Sequence, residues 1–226
     1  MDDRTNGGSS ARVYLQPVAP PSILGLYGFA GATFIVATSL AGWWGGSTAL
    51  QFAAPFAALF GGLAQFVAGM WAYRARDGLA TAMHGMWGSY WMAWGILELL
   101  FASGTLTEPR GAFVAFGYWF VVLAAITAVG TIAAIAENLG LVAVLGTLTI
   151  GAALLAIGLL VGGTVWETVA GWVLILSALL AFYTASALML EGTFGRKVLP
   201  LGQTERARRA PEVDVGAGEP GVAHGQ

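Results

Sequence analysis

Charged residues in this chain are crowded at its two ends and at a few short breaks in between. Between the breaks run six long apolar stretches, at about 23–44, 51–73, 79–101, 113–135, 139–162 and 168–190. A bilayer core of about 30 Å needs about 20 helical residues, and each stretch reaches that length. None shows the alternating polarity of a membrane strand. A helix pairs its backbone groups within itself, as lipid demands. The pattern predicts an all-α polytopic membrane protein with six transmembrane helices over residues 22–192. The breaks are Gly45-Gly46-Ser47, Arg74 to Gly78, Gly104 to Gly111, Glu137-Asn138 and Gly162 to Glu167. They are short, so consecutive helices should be antiparallel neighbours.

Composition sharpens this picture. The 226 residues are 57% hydrophobic and only 10% charged, where soluble domains average about 25% charged. Between Val13 and Leu190 the charges are Arg74, Arg76, Asp77, Glu98, Glu108, Arg110, Glu137 and Glu167. That excludes an ordinary soluble enzyme, a coiled coil and a disordered chain. A net charge of −2 gives no field for a nucleic acid. Absence of cysteine removes thiol catalysis, disulfides and Cys-ligated metal.

The ends read as tails. Residues 1–21 are polar and Pro-punctuated, and Met1-Asp2-Asp3 is not a basic signal-peptide start. The first apolar segment is therefore expected to be an uncleaved anchor. Residues 193–226 form a second tail, expected to be disordered after 203. With both termini cytoplasmic, the inner side holds Arg4, Arg12, Arg74, Arg76, Arg196, Lys197, Arg206, Arg208 and Arg209, and the outer side only Arg110. The positive-inside rule selects that orientation in a plasma (inner) membrane. The basic cluster in this tail reads first as a positive-inside signal on a solvated segment, with contact to anionic lipid heads as the alternative.

Glycine is abundant, at 33 residues. Small residues let helices approach in lipid. Gly42/Gly46 and Gly158/Gly162 have the GxxxG spacing. Gly25, Gly28 and Gly31 stripe the first helix, and Gly61, Gly62, Ala64, Ala68 and Gly69 the second. Trp43, Trp44, Trp71 and Trp166 near segment ends read as interfacial anchors. The third segment is different. His84, Trp87, Trp91, Trp94 and Glu98 recur at spacings of 3 and 4, which places them along one helical face. Such a face belongs against protein or a water-bearing path. His84 is a titratable group at membrane depth, where a functional role and a plain interhelical hydrogen bond both fit. Gln65 is a second membrane-depth polar group.

Motifs for catalysis or cofactors are missing: no HExxH, GxSxG or P-loop, and no second membrane histidine for a bis-His haem. No enzyme, metal or cofactor is expected. Movement of a small solute remains.

Four local patterns resemble a known family. Phe60-Gly61-Gly62-Leu63-Ala64-Gln65 with Ala68-Gly69 is similar to a second-helix GGxAQxxAG. Gly88-Ser89-Tyr90-Trp91 is similar to a third-helix GSFW. Ala170-Gly171-Trp172 matches the start of a sixth helix. Phe194-Gly195-Arg196-Lys197-Val198-Leu199-Pro200-Leu201-Gly202 is similar to a C-terminal FGRxVLPxG. The chain resembles the acetate uptake transporters, also called the GPR1/FUN34/YaaH or succinate–acetate permease family, over about residues 20–203. Before helix one the family carries NPAPLGL. Pro21, Leu24, Gly25 and Leu26 keep part of that motif, without its leading Asn and second Pro.

The resemblance implies six helices per protomer, a homo-oligomer in the form of a hexameric ring, and a separate path in each protomer. It implies transport of acetate or another small monocarboxylate, with succinate as a further candidate, proton-coupled or channel-like. It also implies an apolar gate of Phe, Tyr and Leu, matched by Phe29, Trp87 and Leu148. Trp87 stands where the family has Tyr, and His84 where it has Phe. Along the path Gln65, Thr81, His84 and Thr149 are the candidates for solvating a carboxylate. Two other readings fit the residues: a channel for small neutral solutes such as urea, amides or ammonia, and a non-transporting membrane scaffold subunit.

Overall fold

The computed structural model describes residues 18–46, 48–107 and 113–204. Most of the expected N-terminal tail, with Arg4 and Arg12, lies outside the described residues. So do Glu108, Arg110 and the basic cluster Arg206, Arg208 and Arg209.

The described chain is a bundle of six helices. They are α1 (Ser22–Leu40), α2 (Ala49–Ala75), α3 (Gly78–Ala102), α4 (Val114–Ala134), α5 (Leu139–Val161) and α6 (Thr164–Phe194). All but α3 are long and apolar enough to cross a membrane. At 25 residues α3 has the length, and its His, Trp and Glu residues make it less apolar. Neighbours in sequence pack antiparallel, and α1 and α5 both lie against α6. Contact between α3 and α4 is thinner, and an apolar groove of about 500 Å³ runs along it.

The first helix stops at Leu40, short of the expected 44. Gly42 takes φ +80, which ends the helix. The chain then folds back. Trp44 Nε1 donates to Thr38 Oγ1 at 2.8 Å, and Trp43 meets Trp172 edge-on at 5.6 Å. Gly42 and Gly46 are therefore turn residues, not the helix-packing pair their spacing suggested. Gly162 also lies beyond a helix end, at φ +76. Only Gly158 of that second pair packs, against Trp166 and Glu167 of α6.

Pro55 interrupts α2. Proline lacks a donor and its ring displaces the carbonyl four residues back. The helix relaxes through a π-helical stretch, Ala57–Leu63, a known way of absorbing such a break. That stretch carries Gly61 and Gly62 into close contact with α1 and α3. A Cβ at Gly62 would lie 2.8 Å from the Met92 backbone nitrogen.

Two helices have side-chain caps. Asp77 accepts from Ala80 N at the start of α3, and Asn138 accepts from Leu141 N at the start of α5. The first free N–H groups of α5 find a further partner. Leu139 N and Gly140 N donate to the carbonyls of Gly202 and Leu201. Residues 195–204 thus form a strap from the end of α6 back across the α4–α5 turn, with buried Leu201 under it. Thr204 N completes it by donating to the Glu137 carbonyl, and Tyr183 Oη donates to the Pro200 carbonyl at 2.8 Å.

Candidate functional site

A cavity of about 330 Å³ opens among the helix ends farthest from Arg74 and Lys197. Its rim carries Glu98 of α3 and Glu167 of α6, and its floor carries Trp87 and Leu148. One wall is aromatic. Tyr90 meets Trp87 at 5.4 Å and Phe120 at 5.3 Å, and Trp91 meets Trp94 at 5.6 Å, all edge-to-face. No lysine, arginine or histidine is among the described lining residues.

Of the three expected gate residues, Trp87 and Leu148 line the cavity, and Phe29 meets the Trp87 ring. Phe29 of α1, Trp87 of α3 and Leu148 of α5 are 3%, 4% and 2% exposed and share one apolar cluster. Phe29 and Trp87 meet edge-to-face at 6.3 Å, a favoured geometry for aromatic quadrupoles. The Trp87 ring is also tethered. Its Nε1 donates to Thr127 Oγ1 of α4 at 3.0 Å, and that hydroxyl donates to the Leu123 carbonyl at 2.6 Å. Thr127 is one of many hydroxyls in the apolar segments. Nothing in the sequence pairs it with a tryptophan 40 positions away.

The polar candidates do not converge. His84 lies one turn from Trp87, toward the basic end, and is buried. Its ring fills a notch at Gly25 of α1, where a Cβ would overlap it. Gln65 is 1% exposed and donates to the Gly61 carbonyl at 3.1 Å. Thr81 donates to the Asp77 carbonyl at 2.7 Å, one turn into α3. Thr149 neighbours Leu148 in sequence but points elsewhere. It bonds the Leu145 carbonyl and lies 3.3 Å from Thr131 Oγ1 of α4. In the N-terminal motif, Pro21 accepts from Gly25 N at 3.2 Å. Leu26 is buried in the core, while Leu24 is 48% exposed.

Two polar groups stand out for a different reason. Thr33 Oγ1 and Trp91 Nε1 are buried without any hydrogen-bond partner, and both residues line the cavity.

The architecture is that of a polytopic helical membrane protein with a cavity open among its helix ends. The chain belongs to the GPR1/FUN34/yaaH family, whose model matches residues 3–200. It is 29% identical over 189 residues to the succinate-acetate/proton symporter SatP of Escherichia coli (strain K12), covering 83% of this chain and 97% of that protein. The Shigella flexneri protein of the same name gives the same figures. The solved structure of the bacterial acetate channel SatP matches with a TM-score of 0.75 and 27% identity, over 82% of this chain and 100% of that one.

Proposed function

We propose that this protein moves acetate and similar small monocarboxylates, succinate among the candidates, across the plasma membrane. The observation that supports this reading is the burial of Phe29, Trp87 and Leu148 in one apolar cluster, with Trp87 and Leu148 lining the cavity, which we read as its constriction. A solute passing it must shed water, which suits a small, partly apolar acid and excludes hydrated inorganic ions. A bare carboxylate is costly at membrane depth, so passage is proton-coupled or channel-like with brief solvation by polar groups. His84 and Gln65 sit deep enough for that role. We read both termini as cytoplasmic, with Arg74, Arg76, Arg196 and Lys197 on the inner side, and the working form as a homo-oligomeric ring of six. The chain acts as a transporter rather than an enzyme.

A second reading draws on the cavity's lack of a cationic side chain, which equally suits a neutral solute such as urea or ammonia. Proteoliposomes decide between them. Labelled acetate uptake that saturates above the leak of protein-free liposomes, is blocked by propionate and not by urea, and changes in Trp87→Ala supports the carboxylate path. Acetate uptake no faster than the leak, with urea flux above it, overturns that path.

A further inference from the structure

Buried hydroxyls in this bundle follow one pattern. Thr38, Thr127, Ser177 and Thr184 each donate to a backbone carbonyl, at 2.6 to 2.9 Å. Thr33 breaks it. Its hydroxyl is buried, at 3% residue exposure, and bonds neither its own helix nor a neighbour. The same contrast holds for two tryptophans one turn apart on α3. Trp87 donates to Thr127, whereas the Trp91 N–H is buried with no acceptor. Buried polar groups are ordinarily satisfied, and an exception calls for a reason. These two lie on different helices and line one cavity. A ligand in that cavity would give both groups a partner.

The chemistry of the ligand follows from the two groups and their surroundings. An indole N–H only donates, so it takes a carbonyl oxygen. A hydroxyl accepts as well as donates, so it takes an acid O–H. The charged and titratable groups facing the cavity are Tyr90 and Glu98 from α3 and Glu167 from α6. The described lining residues of α1, α2, α4 and α5 supply none. A carboxylate would enter beside the acidic side chains Glu98 and Glu167, with no cationic lining residue to offset its lost hydration. The uncharged acid meets neither cost.

Accepting acetate as the solute, we propose that Thr33 and Trp91 form a docking site for the undissociated carboxylic acid. Trp91 Nε1–H donates to the acid's carbonyl oxygen, and the acid's O–H donates to Thr33 Oγ1. The acid is thus held above the constriction with its methyl group free to face Trp87 and Leu148. The proton crosses as part of the solute, and its release on the far side accounts for coupling without a titrating side chain in the cavity.

The test is labelled acetate uptake into proteoliposomes of the full chain at several external pH values, with the leak of protein-free liposomes subtracted at each. Above the acid's own pKa, the apparent KM in total acetate should rise about tenfold per pH unit and stay constant when expressed as undissociated acid. Thr33→Val and Trp91→Phe should each raise that KM by about threefold to tenfold and leave the maximal rate within about twofold. Thr33→Ser, which keeps the hydroxyl, should restore it. Elution and melting profiles equal to wild type would show that the variants fold. A KM in total acetate that does not change with pH overturns the proposal, as does an unchanged KM in both variants, or a Thr33→Val defect that serine fails to rescue. Those outcomes leave acetate transport standing. Wild-type uptake no faster than the leak removes the acetate reading and this site together.

Discussion

A methyl group on residue 25 would enter the imidazole of His84. Gly25 is therefore required for contact rather than for backbone freedom. Gly25→Ala should destabilise the fold by about 1–3 kcal/mol, the usual cost of overpacking. His84→Ala empties the space that the new methyl needs, so the double variant should recover most of the loss. A thermal-melting double-mutant cycle in detergent reads this directly. Additive effects would mean that the two residues do not press on each other. The tether of Trp87 makes a second prediction at this scale. Thr127→Val removes the acceptor at 3.0 Å and leaves a buried indole N–H unpaired, at a cost of about 1–3 kcal/mol. It should also free the ring at the constriction, so acetate flux should change in the same direction as in Trp87→Phe, and the two changes should not add. Full additivity in flux would detach Thr127 from the gate.

Helices were readable from the sequence because lipid leaves so few alternatives. Runs of about 20 apolar residues with short polar breaks admit little besides antiparallel helices. The face of α3 was readable for a related reason: spacings of 3 and 4 put His84, Trp87, Trp91, Trp94 and Glu98 on one side, of which the first four are buried and Glu98 is half-buried. Features that depend on where a helix ends, or on residues far apart in sequence, were not. Gly42 and Gly46 have the spacing of a packing motif, yet a spacing does not say that the helix has already stopped. Thr149 follows Leu148, but one residue is about 100° of helical turn, so it faces α4 instead of the cavity. The strap is the clearest case. The FGRKVLPLG segment looks like a signature without a task until Gly202 and Leu201 are seen accepting from Leu139 and Gly140. They satisfy N–H groups that every helix start leaves open. Asn138→Ala should remove one cap from the same turn, costing about 1 kcal/mol. Its backbone amides and those of residues 201–204 should then exchange faster together in hydrogen-exchange measurements. Faster exchange at 138–141 alone would show that strap and turn are not one unit.

At the scale of the whole molecule, the two ends of the bundle differ in electrostatics. The cavity end shows Glu98 and Glu167. The other end carries Arg74, Arg76, Asp77, Glu137, Arg196 and Lys197. Glu137 lies in the α4–α5 turn, outside the spanning helices, and its carboxyl is pushed up to about 7, first by burial and then by the negative charge of Asp77. The direction fixes the sign of its effect on stability. A carboxyl whose folded pKa is raised favours the folded state while it is protonated. That contribution is complete below its unfolded value of 4.5 and is lost as pH rises through about 7. One proton sets a ceiling of about 1.4 kcal/mol per pH unit on the slope. Glu137 is only half-buried, so solvent screening should hold the measured slope well under that ceiling. Melting temperature in detergent should therefore fall between about pH 5 and pH 7, and Glu137→Gln should flatten the curve in that window. Asp77→Asn should lower the carboxyl's pKa and move the fall to lower pH, with some loss of α3 capping at every pH. Because Thr204 is bonded to the Glu137 backbone, ionisation here should loosen the strap first, so exchange at residues 201–204 should rise before the bundle melts. A melting curve that stays flat over this range in wild type, or a slope that Glu137→Gln leaves intact, would assign the pH response of this end to another group.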